Sequence, residues 1–186
     1  MTPQPHVIIL NGVGSVGKTA TARALQSIAT QPFLHIAMDS FIDMRPQHMI
    51  DHPDGLTFET TLDHGKPSII IRTGPVMQRA LSGMRHAVAA MAAQGNNLVV
   101  DTVMLDPSEA QAYRALLSKF NLLLVGLFAP LDILEAREHA RNDRAIGLAR
   151  WQFDRVHQGQ TYDLSLHTDQ STPQETAEKI CKTFFL

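Results

Sequence analysis

Apolar residues fall into short unbroken runs separated by longer stretches with helical spacing. Val7-Ile8-Ile9-Leu10, within a strand of about 6–10, opens the series. Segments 33–38, 97–101 and 122–128 continue it. A strand sheltered on one face only would alternate, so such runs predict strands covered on both faces. A last strand is predicted over 163–167 and a short one over 68–71. Between them, Ala20, Ala22, Ala24 and Leu25 begin a helix to about residue 29, where Gln31-Pro32 breaks the pattern. Val76, Ala80, Met84, Ala87, Val88 and Met91 mark one helix face over 74–94, closed by Gly95. Asp106-Pro107-Ser108-Glu109 supplies a capping residue, a proline at the first helical position and a glutamate at the third, so a helix runs from there to about 119. Thr172-Pro173-Gln174-Glu175 repeats the device before a C-terminal helix, and a charged helix is expected from about Leu131. The stretch 40–66 carries Pro46, Pro53 and Gly55 and shows no periodicity. A tract that long is either disordered or functional.

Strands alternating with helices predict an α/β protein with a parallel sheet between two helical layers, and in such sheets ligands sit at the carboxyl ends of the strands. The 186 residues suit a single domain over 1–186, and 44% hydrophobic with 18% charged residues is ordinary globular composition. A net charge of −2 gives no electrostatic reason to expect nucleic acid or an anionic membrane as partner. No run approaches the length of a membrane span and no basic leader precedes an apolar stretch. The lone Cys181 cannot form an internal disulfide and reads as a buried thiol in a reducing compartment, so the expected location is cytoplasmic. A homo-oligomer is left open.

The chemistry concentrates between the first strand and the first helix. Gly12-Val13-Gly14-Ser15-Val16-Gly17-Lys18-Thr19 matches G-x-x-x-x-G-K-[ST], the Walker A or P-loop pattern. The glycines let successive backbone N–H groups turn inward onto a polyphosphate, and the helix N-terminus adds its positive end. Lys18 is expected to reach the β- and γ-phosphates of a nucleoside triphosphate and the Thr19 hydroxyl to ligate Mg²⁺. Asp101 ends an apolar strand, the Walker B position, and is read as the second metal ligand; the alternatives are a helix cap or a plain strand-end acid. Asp39 closes the second strand on the same rim, where a carboxylate either takes the proton of an attacking hydroxyl or caps a helix starting at Ser40.

Arg137, Arg141 and Arg144 stand at i, i+4 and i+7 in the expected helix. Like charges at that spacing repel, and only Glu138 offers relief, so the stripe reads as a lid over about 137–150 that closes on transferring phosphate rather than as a solvated face. The histidine pair His48 and His52 lacks a third ligand and reads as loop residues. Absence of N-K-x-D argues against a GTPase.

The chain resembles the chloramphenicol phosphotransferase family, within the adenylate-kinase-like P-loop small-molecule kinases. The resemblance is carried by residues 8–12 leading into the loop, Ala22-Arg23-Ala24-Leu25-Gln26-Ser27, Met38-Asp39-Ser40 and Leu98-Val99-Val100-Asp101. It continues through the segment 135–144, Val156-His157-Gln158-Gly159 and Tyr162-Asp163. It implies a three-layer P-loop fold with an arginine-bearing lid. It also implies transfer of the ATP γ-phosphate to a primary hydroxyl of a small molecule, in that family the antibiotic chloramphenicol. Asp39 would be the general base, Lys18 the phosphate ligand, and Arg141 and Arg144 lid residues. The chain departs from the family in carrying Thr102 where a second acid is expected, and in the acceptor region of about 40–75, with Arg45-Pro46-Gln47-His48 and an inserted-looking 60–66. A kinase of another metabolite, such as a nucleoside or a sugar acid, and a nucleotide-binding switch without transfer are the competing expectations.

Overall fold

The computed structural model describes residues 4–141 and 145–186. Strand β1 (His6–Asn11) is the centre of the molecule, and Val7 to Leu10 are wholly buried. Its side chains alternate between two cores. Ile8 and Leu10 join Leu25, Val99, Val125 and Ala177 on one face of the sheet, while Val7 and Ile9 join Met84, Val88, Val100 and Tyr113 on the other. That double covering is why the run does not alternate in sequence.

Five parallel strands lie in the order β2-β5-β1-β6-β7, with β2 (Phe33–Ala37), β5 (Asn97–Thr102), β6 (Asn121–Phe128) and β7 (Leu164–His167). Helices α1 (Lys18–Ile28), α5 (Leu131–His139), α6 (Leu148–Phe153) and α7 (Pro173–Phe184) contribute to the first core. Helices α3 (Pro75–Ala93) and α4 (Pro107–Leu116) cover the other. The predicted capping boxes both form: Asp106 with Glu109 on α4, and Thr172 with Glu175 on α7. From β1 the chain goes to β2 on one side of the sheet while β6 and β7 lie on the other, so the carboxyl end of β1 is the topological switch point at which open α/β sheets bind ligands.

The tract read as irregular is structured. Met38–Asp43 is helix α2, and two eight-residue strands, β3 (Leu56–Asp63) and β4 (Lys66–Thr73), pair antiparallel as a separate hairpin. Its two-residue turn has positive φ at both His64 (48°) and Gly65 (77°), the hand that matches strand twist. The strand expected over 68–71 is the middle of β4. The expected arginine helix also differs: α5 ends at His139, so Arg141 lies beyond it and does not continue the face of Arg137. Arg144 lies outside the described residues. Cys181 is half-buried rather than buried, at the margin of the first core. No helix among the described residues is long and apolar enough to cross a membrane.

Candidate functional site

The loop from Gly12 to Gly17 leaves β1 at the switch point and enters α1 at Lys18. Positive φ at Ser15 (63°) and Gly17 (101°) curls the backbone, the geometry that turns successive N–H groups inward. Lys18 Nζ donates to the carbonyls of Gly12 (2.7 Å) and Val13 (3.0 Å), folding its cation across the loop. Three groups from elsewhere brace the curl. Gly14 N–H donates to Gln152 Oε1 of α6 at 2.7 Å. The Thr168 hydroxyl, just after β7, donates to the Val16 carbonyl at 2.8 Å. Arg137 then grips the same threonine, donating to its hydroxyl (3.1 Å) and its carbonyl (2.8 Å).

Thr19, in the first turn of α1, donates its hydroxyl proton to Asp101 Oδ2 at 2.7 Å. Asp101 lies within β5 and not at a helix terminus; the N-cap that follows is Asp106. The same Oδ2 lies 3.0 Å from His35 Nε2, a partner the sequence did not reveal. Burial would raise the Asp101 pKa, but the hydrogen bonds from His35 and Thr19 and the charge of Lys18 outweigh it and hold the carboxyl below its usual range. Asp39 sits in the first turn of α2, whose N-cap is Ala37, so the carboxylate is not the capping residue. Asp39 lines one open cavity of about 140 Å³ together with Ser15, Lys18, Thr19, Asp101, Arg137 and Arg141. Thr102, at the position of the expected second acid, also lines it, with its hydroxyl 3.6 Å from Met38 Sδ. The structure thus brings Ser15, Gly17, Lys18, Thr19, Asp39, Asp101, Arg137 and Arg141 around one cavity, while Gly12, Val13, Gly14 and Val16 of the loop do not line it.

Three further arrangements were not visible in the sequence. Glu138 is buried, and its carboxylate accepts from the N–H groups of Gly147 and Ala149, each at 2.8 Å, at the start of α6. Arg150 on α6 pairs with Asp63 at the hairpin turn (3.3 Å) and with Glu135 of α5, while Lys66 reaches Glu135 at 3.1 Å. The hairpin is thereby tied to the two helices that carry Arg137 and Gln152. Finally, Asn11 Nδ2 donates to the Tyr162 hydroxyl (2.7 Å), which donates to His157 Nδ1 (2.8 Å). His157 stacks on Phe128 with ring centres 3.9 Å apart and borders a second, apolar cavity of about 290 Å³ that shares Val13 and Val16 of the loop. Burial, helped by the charge of Lys18, lowers the His157 pKa to about 4, so the imidazole is neutral at ordinary pH.

Comparison with known proteins places the fold and the family. A curated protein of Mycobacterium tuberculosis (strain ATCC 25618 / H37Rv), named "Putative O-phosphotransferase Rv2636", is 25% identical over 187 residues, covering 98% of this chain and 83% of that protein. Among solved structures, a sugar kinase from Janibacter sp. HTCC2649 superposes with a TM-score of 0.71 at 16% identity, covering 98% of this chain and 95% of that one. The Mycobacterium tuberculosis APS kinase CysC, solved with AMPPNP and APS, gives 0.68 at 13% identity over 99% of both chains. A gluconokinase from Sinorhizobium meliloti 1021 gives 0.63 at 16% identity over 98% and 97%. These likenesses are of fold: the three-layer architecture is that of the P-loop kinases. A family model described as chloramphenicol phosphotransferase-like protein matches residues 5–184, nearly the whole length, and the chain belongs to that family.

Proposed function

We propose that this protein transfers the γ-phosphoryl group of ATP, with Mg²⁺, to a hydroxyl of a small acceptor. The observation that carries the reading is the single cavity holding a carboxylate (Asp39), the loop lysine, the Thr19–Asp101 pair and two arginines. Thr19 and Asp101 offer a hydroxyl and a carboxylate oxygen 2.7 Å apart, the hard oxygen donors that Mg²⁺ takes alongside substrate phosphates. The ion, when bound, offsets charge on the β- and γ-phosphate oxygens.

The residues of the chain do the rest. Backbone N–H groups of the Gly12–Thr19 loop and the N-terminus of α1 hold the phosphates, and Lys18 exchanges its loop carbonyls for phosphate oxygens. The base of the nucleotide lies by the loop at 168–171, where Arg137 is already anchored on Thr168. Asp39 accepts the proton of the acceptor hydroxyl as its oxygen attacks the γ-phosphorus, and Arg137 and Arg141, with Arg144 from the same 137–150 lid segment, meet the charge of the transferring group. The acceptor approaches from the side of residues 40–75, which supply α2 and the hairpin.

Asp39→Asn is expected to lower kcat by about 10²-fold or more while leaving the Kd for ATP unchanged. Unchanged turnover in that variant would remove Asp39 from the mechanism. The acceptor is identified by ADP release from Mg-ATP with chloramphenicol, a nucleoside and a sugar acid in parallel, since the acceptor side is where this chain departs from the family pattern. Tight ATP binding without stimulation by any acceptor would favour a nucleotide-dependent switch.

A further inference from the structure

We infer that His35 is a positioning residue for the metal side of the site, holding the Asp101 carboxylate in the orientation in which it and Thr19 take a divalent cation. The inference rests on the reading of Thr19 and Asp101 given above.

It begins with the strand register. Ala37 pairs with Asp101 and His35 with Val99 between the parallel strands β2 and β5, so His35 and Asp101 are diagonal neighbours on one face of the sheet. Asp101 is 5% exposed. A carboxylate ion so enclosed needs hydrogen bonds to remain charged, and it accepts them from Thr19 Oγ1 and His35 Nε2 on the same oxygen, Oδ2. Because an ionised carboxylate can only accept, the imidazole is the donor through Nε2–H.

One donor alone would leave the carboxylate to turn about its Cβ–Cγ bond. The second donor arrives from a different element, β2 rather than α1, and the two together fix the plane. When a cation occupies the site, the Thr19 hydroxyl must present its oxygen to the ion, so its proton and the carboxylate must be held compatibly. His35 then remains as the contact that keeps Asp101 in place. Groups that orient a metal ligand in this manner typically cost about 10–100-fold in metal affinity when removed. His35 also explains why Asp101 can serve without an acid at Thr102: the Nε2–H donor and a cationic loop lysine steady one carboxylate where a second acid would repel it.

The test compares Mn²⁺ binding to the protein saturated with AMPPNP, followed by the electron paramagnetic resonance of free Mn²⁺, with AMPPNP binding in EDTA. His35→Leu is expected to weaken Mn²⁺ by about 10-fold or more while metal-free AMPPNP binds within about twofold of wild type. His35→Gln places an amide N–H near the Nε2 position and should recover Mn²⁺ affinity to within about threefold. His35→Asn, too short to reach, should behave as His35→Leu does and supplies the contrast if the leucine variant fails to fold. In turnover, the loss in His35→Leu or His35→Asn is expected as a raised Mg²⁺ requirement with kcat recovered at saturating Mg²⁺. Mn²⁺ affinity unchanged in both variants, or metal-free AMPPNP weakened by the same factor as Mn²⁺, overturns the inference. Failure of the wild-type protein to take Mn²⁺ with AMPPNP overturns the functional reading beneath it as well, so the two failures are told apart.

Discussion

Glu138→Ala tests whether the site is held together from beneath. Glu138 is 1% exposed, and each carboxylate oxygen accepts one backbone N–H, from Gly147 and from Ala149, at 2.8 Å. Both donors are themselves buried. Truncation removes two charge-assisted hydrogen bonds, each contributing about 1.5–3 kcal/mol, and leaves two N–H groups without an acceptor, so the expected loss is about 4 kcal/mol. With a urea slope near 2 kcal/mol/M, the unfolding midpoint should fall by about 2 M. Glu138→Gln retains one acceptor but turns an NH₂ toward the other N–H, so it should cost about 2 kcal/mol. The effect reaches the nucleotide because Gln152, one turn beyond Ala149 on α6, holds the N–H of Gly14. ATP should therefore bind more weakly to whichever variant remains folded. A midpoint for Glu138→Ala within about 0.5 M of wild type would refute the reasoning, since two buried donors would then have found other partners at no cost.

Two further outcomes follow from the same structure. Asn11 is fully buried, accepts from Met104 N–H at 2.8 Å and donates to the Val156 carbonyl and the Tyr162 hydroxyl, so Asn11→Leu should destabilise by about 3 kcal/mol in urea titration. His157 is a histidine lowered to about 4 in the fold against an ordinary 6.5, so the unfolded chain binds more protons between those values and stability falls as pH drops through that window. His157→Asn should flatten the slope of stability against pH between about 6.5 and 4; an unchanged slope would mean that the imidazole titrates normally.

What was legible in the sequence was local. The run at Val7, the loop at Gly12 and the capping boxes at Asp106 and Thr172 each depend on residues a few positions apart, and each stands in the structure where it was expected. The hairpin was within reach: Leu56, Phe58 and Leu62 alternate, and Gly65 marks the turn. Its signal was weak because β3 is exposed on both faces from Phe58 to Leu62, with those two residues 44% and 70% exposed, and such a stretch needs no regular apolar pattern. Helix α2 has six residues and none buried, so it carries no stripe to detect. His35 with Asp101, 66 positions apart, and Gln152 with Gly14, 138 apart, become neighbours only through the strand order and the packing of α6. Neither follows from periodicity.

The arginine segment differs from its expected geometry although Arg137 and Arg141 both line the cavity. Spacing alone placed Arg137 and Arg141 on one helical stripe, where their repulsion was the argument for an anion between them. The helix instead stops at His139, and Arg141 N–H closes a tight turn onto the Glu138 carbonyl at 3.1 Å. The Glu138 side chain, committed to capping α6, belongs to the support beneath the site. Both arginines still line the cavity, but they arrive differently: Arg137 from a helix and fastened to Thr168, Arg141 from the turn beyond. Arg137 is therefore coupled to the loop through the Thr168 hydroxyl and the Val16 carbonyl, so its position and the curl of the loop are set together. Under the proposed function, preorganised charge of this kind lowers the cost of assembling the site around a triphosphate.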